Sequence, residues 1–276
     1  MKIKKLYSYS DKKQIWRLLL SDSEKLIVET RDIDEKQVYF HVLDLFSGKK
    51  ILKKFQLDEK YWVSIEAVEK DIIFFHTFSK PDLPGHKKIT AYDINTNTIL
   101  WRNDNYTFLF INEKGLYAQE KGFASNKYLV LDLRTGSILE ELDTDETAIL
   151  ELNHQASTAK DYSEYLFPER FYQNDENKVE DNLKNSLIEE TKGLDIVGPV
   201  EYVYYSDALF FNFHYRLANK IVNRFLAKDI SSGKKFFDDL LNQEVNAYVP
   251  DSFFIYKDLI ILLKEKREVL VCKLTD

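Results

Sequence analysis

Leu43-Asp44-Leu45-Phe46-Ser47-Gly48 sets an Asp three residues before a Ser and four before a Gly, and the same spacing returns three times. Its copies are Tyr92-Asp93-Ile94-Asn95-Thr96-Asn97, Leu131-Asp132-Leu133-Arg134-Thr135-Gly136 and Lys228-Asp229-Ile230-Ser231-Ser232-Gly233. The pattern predicts a hairpin whose loop is a type I turn closed by one residue in the left-handed region. Gly adopts that conformation without a Cβ penalty and Asn tolerates it, so Gly48, Asn97, Gly136 and Gly233 share one role. The carboxylates of Asp44, Asp93, Asp132 and Asp229 accept N–H groups within their own turns, and the Ser or Thr hydroxyl adds a second contact.

The steps between the four Asp residues are 49, 39 and 97. Two are one unit long and the third is a unit plus an insertion. A period in the forties with strand-like flanks is that of a four-stranded propeller blade. The expectation is therefore an all-β chain forming one domain over residues 1–276, a five-bladed β-propeller with a sixth blade as the alternative. The last unit has three evident strands, and residues 3–10 are expected to supply the fourth, closing the ring by pairing the two ends of the chain.

Composition agrees with a strand-rich, water-exposed protein. Of the 276 residues, 44% are hydrophobic and 14% aromatic, with only 8 Gly and 5 Pro, which suits strands joined by tight turns. The first ten residues carry no apolar h-region, and no run approaches the roughly 20 apolar residues of a membrane span. A single Cys, Cys272, excludes an intramolecular disulfide and a cysteine-rich metal site. These features imply a cytoplasmic monomer that does not enter a membrane.

The turn repeat resembles that of the quinoprotein-dehydrogenase-like propellers, Ala-x-Asp-x-x-Thr-Gly-x-x-x-Trp. The fullest copy runs from Ala91 to Trp101, with Asn97 at the Gly position. The other copies have Leu52, Glu140 and Phe237 where that one has Trp101. The resemblance implies the blade architecture. It does not bring the quinone cofactor, because one Cys cannot form the vicinal disulfide that covers it in those enzymes. Tyr165-Leu166-Phe167-Pro168-Glu169-Arg170 is also similar to a bacterial family of Bacteroidota type known only as a domain of unknown function, a likeness that carries no activity.

Between residues 143 and 199 the repeat lapses. This acidic insertion links two units and is expected on the face of the inter-blade loops, together with the loop Ser79–His86. From Asp143 to Val200 there are 14 acidic and 5 basic residues, a net of −9 in a chain whose total is −7. The acidity is local; it repels phosphate backbones, which argues against nucleic acid, and it favours a basic protein partner. Asp82, His86, Tyr165, Phe167, Glu169 and Arg170 are the expected binding-face residues, since loops on a rigid scaffold carry function. A helix is expected over residues 175–192, capped by Asn174 or Asn177, with Val179, Leu183 and Leu187 facing inward and Gly193 ending it.

Reactive constellations are sparse. The five histidines, His41, His76, His86, His154 and His214, show no short ligand spacing, so neither metal nor cofactor is expected. Glu66, His76, Glu201 and His214 are the candidates for catalysis, in a hydrolase acting on a carbohydrate-like molecule. The principal expectation is a non-enzymatic scaffold that binds a protein partner or other ligand through the 143–199 segment.

Overall fold

The computed structural model describes residues 1–79, 85–122, 125–143, 145–172 and 179–275. Asp82, Asn174 and Asn177 lie outside the described residues. After β1 (Lys2–Tyr9), three sheets follow in chain order. The first holds β2 (Gln14–Leu20), β3 (Lys25–Asp32), β4 (Gln37–Asp44) and β5 (Lys50–Phe55). The second holds β6 (Val63–Glu69), β7 (Ile72–Phe78), β8 (His86–Asp93) and β9 (Thr98–Asn103), and the third β10 (Tyr106–Asn112), β11 (Gly115–Lys121), β12 (Asn126–Leu131) and β13 (Ile138–Leu142). Then come α1 (Glu146–Ala159), β14 (Tyr165–Leu166), β15 (Glu169–Phe171) and α2 (Asp181–Thr191). The chain ends with β16 (Val200–Tyr205), β17 (Ala208–Leu217), β18 (Lys220–Asp229), β19 (Lys235–Val245), β20 (Phe253–Tyr256), β21 (Leu259–Lys264) and β22 (Glu268–Thr275).

These 22 strands form five separate antiparallel sheets, and none is closed or curled. Pairing stays inside each sheet, which corrects the expected closed five-bladed β-propeller: the described residues fit a sandwich of small sheets. The turn spacing specifies a four-stranded hairpin unit, but it says nothing about how units are assembled. β1 does pair with β22, from Lys2 opposite Thr275 to Tyr9 opposite Val269, and this completes one sheet without closing a ring.

The chain divides into two compact units, Lys13–Asp161 and Met1–Lys12 with Tyr162–Asp276. In the first, Ile27, Phe40 and Val42 pack against Ile65, Ile73 and Phe75 of the second sheet, whose opposite face, with Ile72, Phe74 and Ala91, packs on Leu116, Ala118 and Leu129 of the third. A strand buried on both faces must be apolar at consecutive positions, and Ile72-Ile73-Phe74-Phe75 is. The outer strand β5, Lys-Ile-Leu-Lys-Lys-Phe, is mostly exposed, with only Leu52 and Phe55 half-buried. Ile149 and Ala156 of α1 cover Phe110, Tyr117 and Tyr128. Asp145 caps that helix by accepting the Ala148 N–H at 2.9 Å.

In the second unit, Phe210, Phe225 and Leu241 face Phe253, Ile260, Leu262 and Cys272 across two sheets. Leu183 and Leu187 of α2 bury themselves on Phe171, Tyr202 and Phe211 of the sheet's other side. The segment 143–199 is thus placed by its own contacts. Part of it also covers sheet edges: β14 adds to β20 and β15 adds to β16, so unpaired strand edges are masked. No helix is long and apolar enough to cross a membrane.

Candidate functional site

The hairpin turns resolve the four Asp residues first. Ser47 donates to Asp44 through its N–H at 2.8 Å and its hydroxyl at 2.6 Å, and the Gly48 N–H reaches the Asp44 carbonyl at 2.9 Å. Thr135 and Gly136 repeat this around Asp132, and Ser232 and Gly233 around Asp229. The Ser47 and Ser232 hydroxyls, and the Thr135 N–H, hold these carboxyls below the usual carboxylate range. Asp93 departs from the pattern. It is buried, accepts the Asn95 N–H at 2.9 Å, and takes Arg134 from the next turn at 2.8 Å. Gly48, Asn97, Gly136 and Gly233 all have φ between 57° and 69°.

Glu66, His76 and His86 come together in the Lys13–Asp161 unit, and backbone irregularities place them. The β6–β7 register slips between Ile65 and Ala67, so Glu66 is the extra residue of a bulge. The β7–β8 register slips again between Phe75 and Thr77, where Lys88 takes φ 58°. Across these shifts Glu66 Oε2 lies 2.5 Å from His76 Nδ1 and 2.8 Å from His86 Nδ1. The two imidazoles stack at 3.6 Å with planes 9° apart, and Phe78 meets both edge-on. His76 is buried, while Glu66 and His86 are partly open. Burial opposes the Glu66 charge, but His76 and His86 outweigh it and keep the carboxyl below its ordinary range. Burial, then the neighbouring His76, push His86 below the usual histidine range despite Glu66. Sequence spacing conceals this group, because its members are separated by strands and turns and meet only through register.

Glu201 and His214 belong to the other unit, where both are buried. Glu201 Oε1 accepts the Asp251 N–H at 3.1 Å, and Arg170 approaches it at 3.9 Å. His214 Nε2 accepts the Val249 N–H at 3.2 Å, so Nδ1 carries the proton, and burial lowers the ring to about 4. Tyr248 sits 4.7 Å from the His214 ring; burial first, and then the Glu201 carboxylate, raise its phenol. Beside them Asn212, Asn223, Asn242 and Ser252 form a buried amide and hydroxyl chain. This network ties β16, β17 and β18 to the 249–252 turn, a structural task for groups sealed from solvent.

The binding-face candidates separate. Tyr165 and Phe167 stack at 5.5 Å, with Tyr162, Phe254 and Tyr256 around them; Tyr162 is 51% and Phe167 56% exposed. Glu169 instead accepts the Tyr202 hydroxyl at 2.8 Å, and burial first, then this carboxylate, raise that phenol to about 12. Arg170 turns to Glu201 and Asp251. His86 joins the Glu66 group.

Comparison with known proteins finds one family model that matches part of the chain and solved structures with low similarity. The model of a family described as a domain of unknown function (DUF4905) matches residues 20–101, a stretch that contains Glu66, His76 and His86. No curated protein matches the chain. Among solved structures it is similar to the AfRom2 CNH domain, at 11% identity over 100% of this chain and 99% of that one, with a TM-score of 0.34. It is also similar to a member of the duf4221 family from Bacteroides vulgatus, at 9% identity over 99% and 95% of the two chains, with a TM-score of 0.36.

Proposed function

We propose that this protein is a non-enzymatic binding scaffold of the cytoplasm that recognises a basic segment of a protein partner. The observation that carries the reading is the aromatic group within the acidic 143–199 segment, where exposed Tyr162 and Phe167 pack on half-buried Tyr165. Tyr and Phe faces with carboxylates such as Glu164 beside them suit Lys and Arg side chains, which gain from both the ring quadrupole and the opposite charge. The same unit already has Lys257 over the Tyr256 ring at 5.2 Å and 3.3 Å from Glu164. A hydrolase is the weaker reading, because Glu201 is only 1% exposed and so closed to a substrate.

The test uses surface substitutions, since deleting the segment would remove Phe171 and Leu187 from the core. Lys/Arg-rich peptides on an array should bind the wild-type protein, and matched Glu-rich peptides should not. Tyr162→Ala with Phe167→Ala should weaken binding at least tenfold, and added salt should weaken it too. Equal binding to both peptide sets, or an unaffected double variant, would sink the reading.

A further inference from the structure

We propose that Glu66, His76 and His86 are the protein ligands of one zinc ion or a similar first-row divalent cation. Glu66 Oε2 and one nitrogen of each ring lie within 4.8 Å of one another. A carboxylate oxygen and an unprotonated imidazole nitrogen both present lone pairs. Three of them aimed at one point repel unless a proton or a metal cation is shared among them. Glu66 Oε2 and His76 Nδ1 face each other at 2.5 Å without hydrogen-bond alignment, and His76 Nε2 is buried with no hydrogen-bond partner. His76 is only 3% exposed, which makes an unsatisfied Nε2 costly.

The backbone is specialised at the same place. The first strands of the three sheets in this unit all carry a bulge, at Trp16 in β2, Glu66 in β6 and Leu109 in β10. Only the middle one presents a charged group. The second irregularity, between β7 and β8 opposite His76, has no counterpart between β3 and β4 or between β11 and β12. Bulges re-aim side chains, and here two of them turn a carboxylate and a histidine toward the same point as His86.

The donor set selects the ion. Two imidazole nitrogens and one carboxylate oxygen suit zinc and its neighbours, whereas magnesium and calcium prefer oxygen alone. Bonds of about 2.0–2.1 Å at tetrahedral angles hold donors roughly 3.3 Å apart, so the 2.5 and 2.8 Å separations must widen as the ion seats. His86, 34% exposed at the start of β8, is the ligand with room to move. Three protein ligands leave a further coordination position. Arg17, whose charge acts on His86, has its guanidinium hydrogen-bonded to the Ile65 carbonyl.

Calorimetric titration of the chelator-treated protein with zinc should give one ion per chain, and cobalt should give a visible absorption band. His86→Ala and Glu66→Gln, checked for folding by circular dichroism, should each weaken binding by at least tenfold, whereas His154→Ala should not. Independently of any variant, zinc should shift the ring nitrogen resonances of two of the five histidines in the wild-type protein. The proposal is overturned if the wild-type protein takes up no zinc, if either folded variant binds as tightly, if His154→Ala abolishes binding, or if the shifted resonances are not those of His76 and His86.

Discussion

The indole of Trp101 lies against the α-carbon of Gly136 and donates its N–H to the Leu133 carbonyl at 2.9 Å. One sheet's Trp thereby locks onto the next sheet's turn. A Cβ at Gly136 would stand 2.6 Å from the ring, whereas one at Gly233, in the same turn with nearly the same φ, would meet nothing within 4 Å. Gly233→Ala should therefore lose only the left-handed preference, about 1–2 kcal/mol. Gly136→Ala should lose that and a further ~1–3 kcal/mol of overpacking. Urea midpoints measure both, and equal losses would show that the indole yields freely.

Glu29 and Arg31 form a buried pair that staples two sheets. Arg31 donates to Glu29 Oε1 at 2.7 and 3.0 Å and to the Val63 carbonyl at 2.9 Å, while Ser64 donates to Glu29 Oε2 at 2.7 Å. Removing either charge strands the other, so Glu29→Gln or Arg31→Met should each destabilise by ~3–5 kcal/mol. The double variant should lose less than the sum of the two, and strict additivity in the unfolding free energies would contradict the coupling.

His214 makes stability depend on pH. The unfolded chain protonates this ring near 6.5, the folded one only near 4. Between those values the unfolded state binds more protons, so stability is lost as the pH falls through the window, by at most roughly 3 kcal/mol. His214→Gln keeps an acceptor for the Val249 N–H but does not titrate. The wild-type protein should lose more stability than the variant between pH 7 and pH 4.5; parallel profiles would refute the assignment.

Burial pushes the Cys272 thiol up to about 11, with Lys5 pulling weakly the other way, and the side chain is 1% exposed. Alkylation by iodoacetamide at pH 8 should be slow in the native protein and fast in denaturant. Rapid native labelling would mean that the β1–β22 edge opens readily.

What could be read in advance was what is local. Asp44, Ser47 and Gly48 satisfy one another within five residues, so their turn is written in the chain, as is the Leu183 and Leu187 stripe of α2. The start of α1 is equally local, with Asp145 as its cap and Ile149 and Ala156 on its buried side, although no repeat marks it. The assembly of the sheets could not be read: the expected ring does not close, because how separate sheets pack together is set by contacts that no short motif records. Glu66 and His76 stood out singly as reactive residues, yet their meeting with His86 depends on two register slips. Such slips arise where a sheet accommodates an extra residue, and alternation of polar and apolar side chains does not mark them.

The pairing of Lys2 with Thr275 has a consequence for synthesis. β1 leaves the ribosome before the strand it needs, and it must stay unpaired while every other sheet forms. An unpaired strand invites association with the wrong edge or with another chain. Lys2, Lys4 and Lys5 face that hazard directly, since their like charges repel a second copy of the same strand until β22 arrives to claim it.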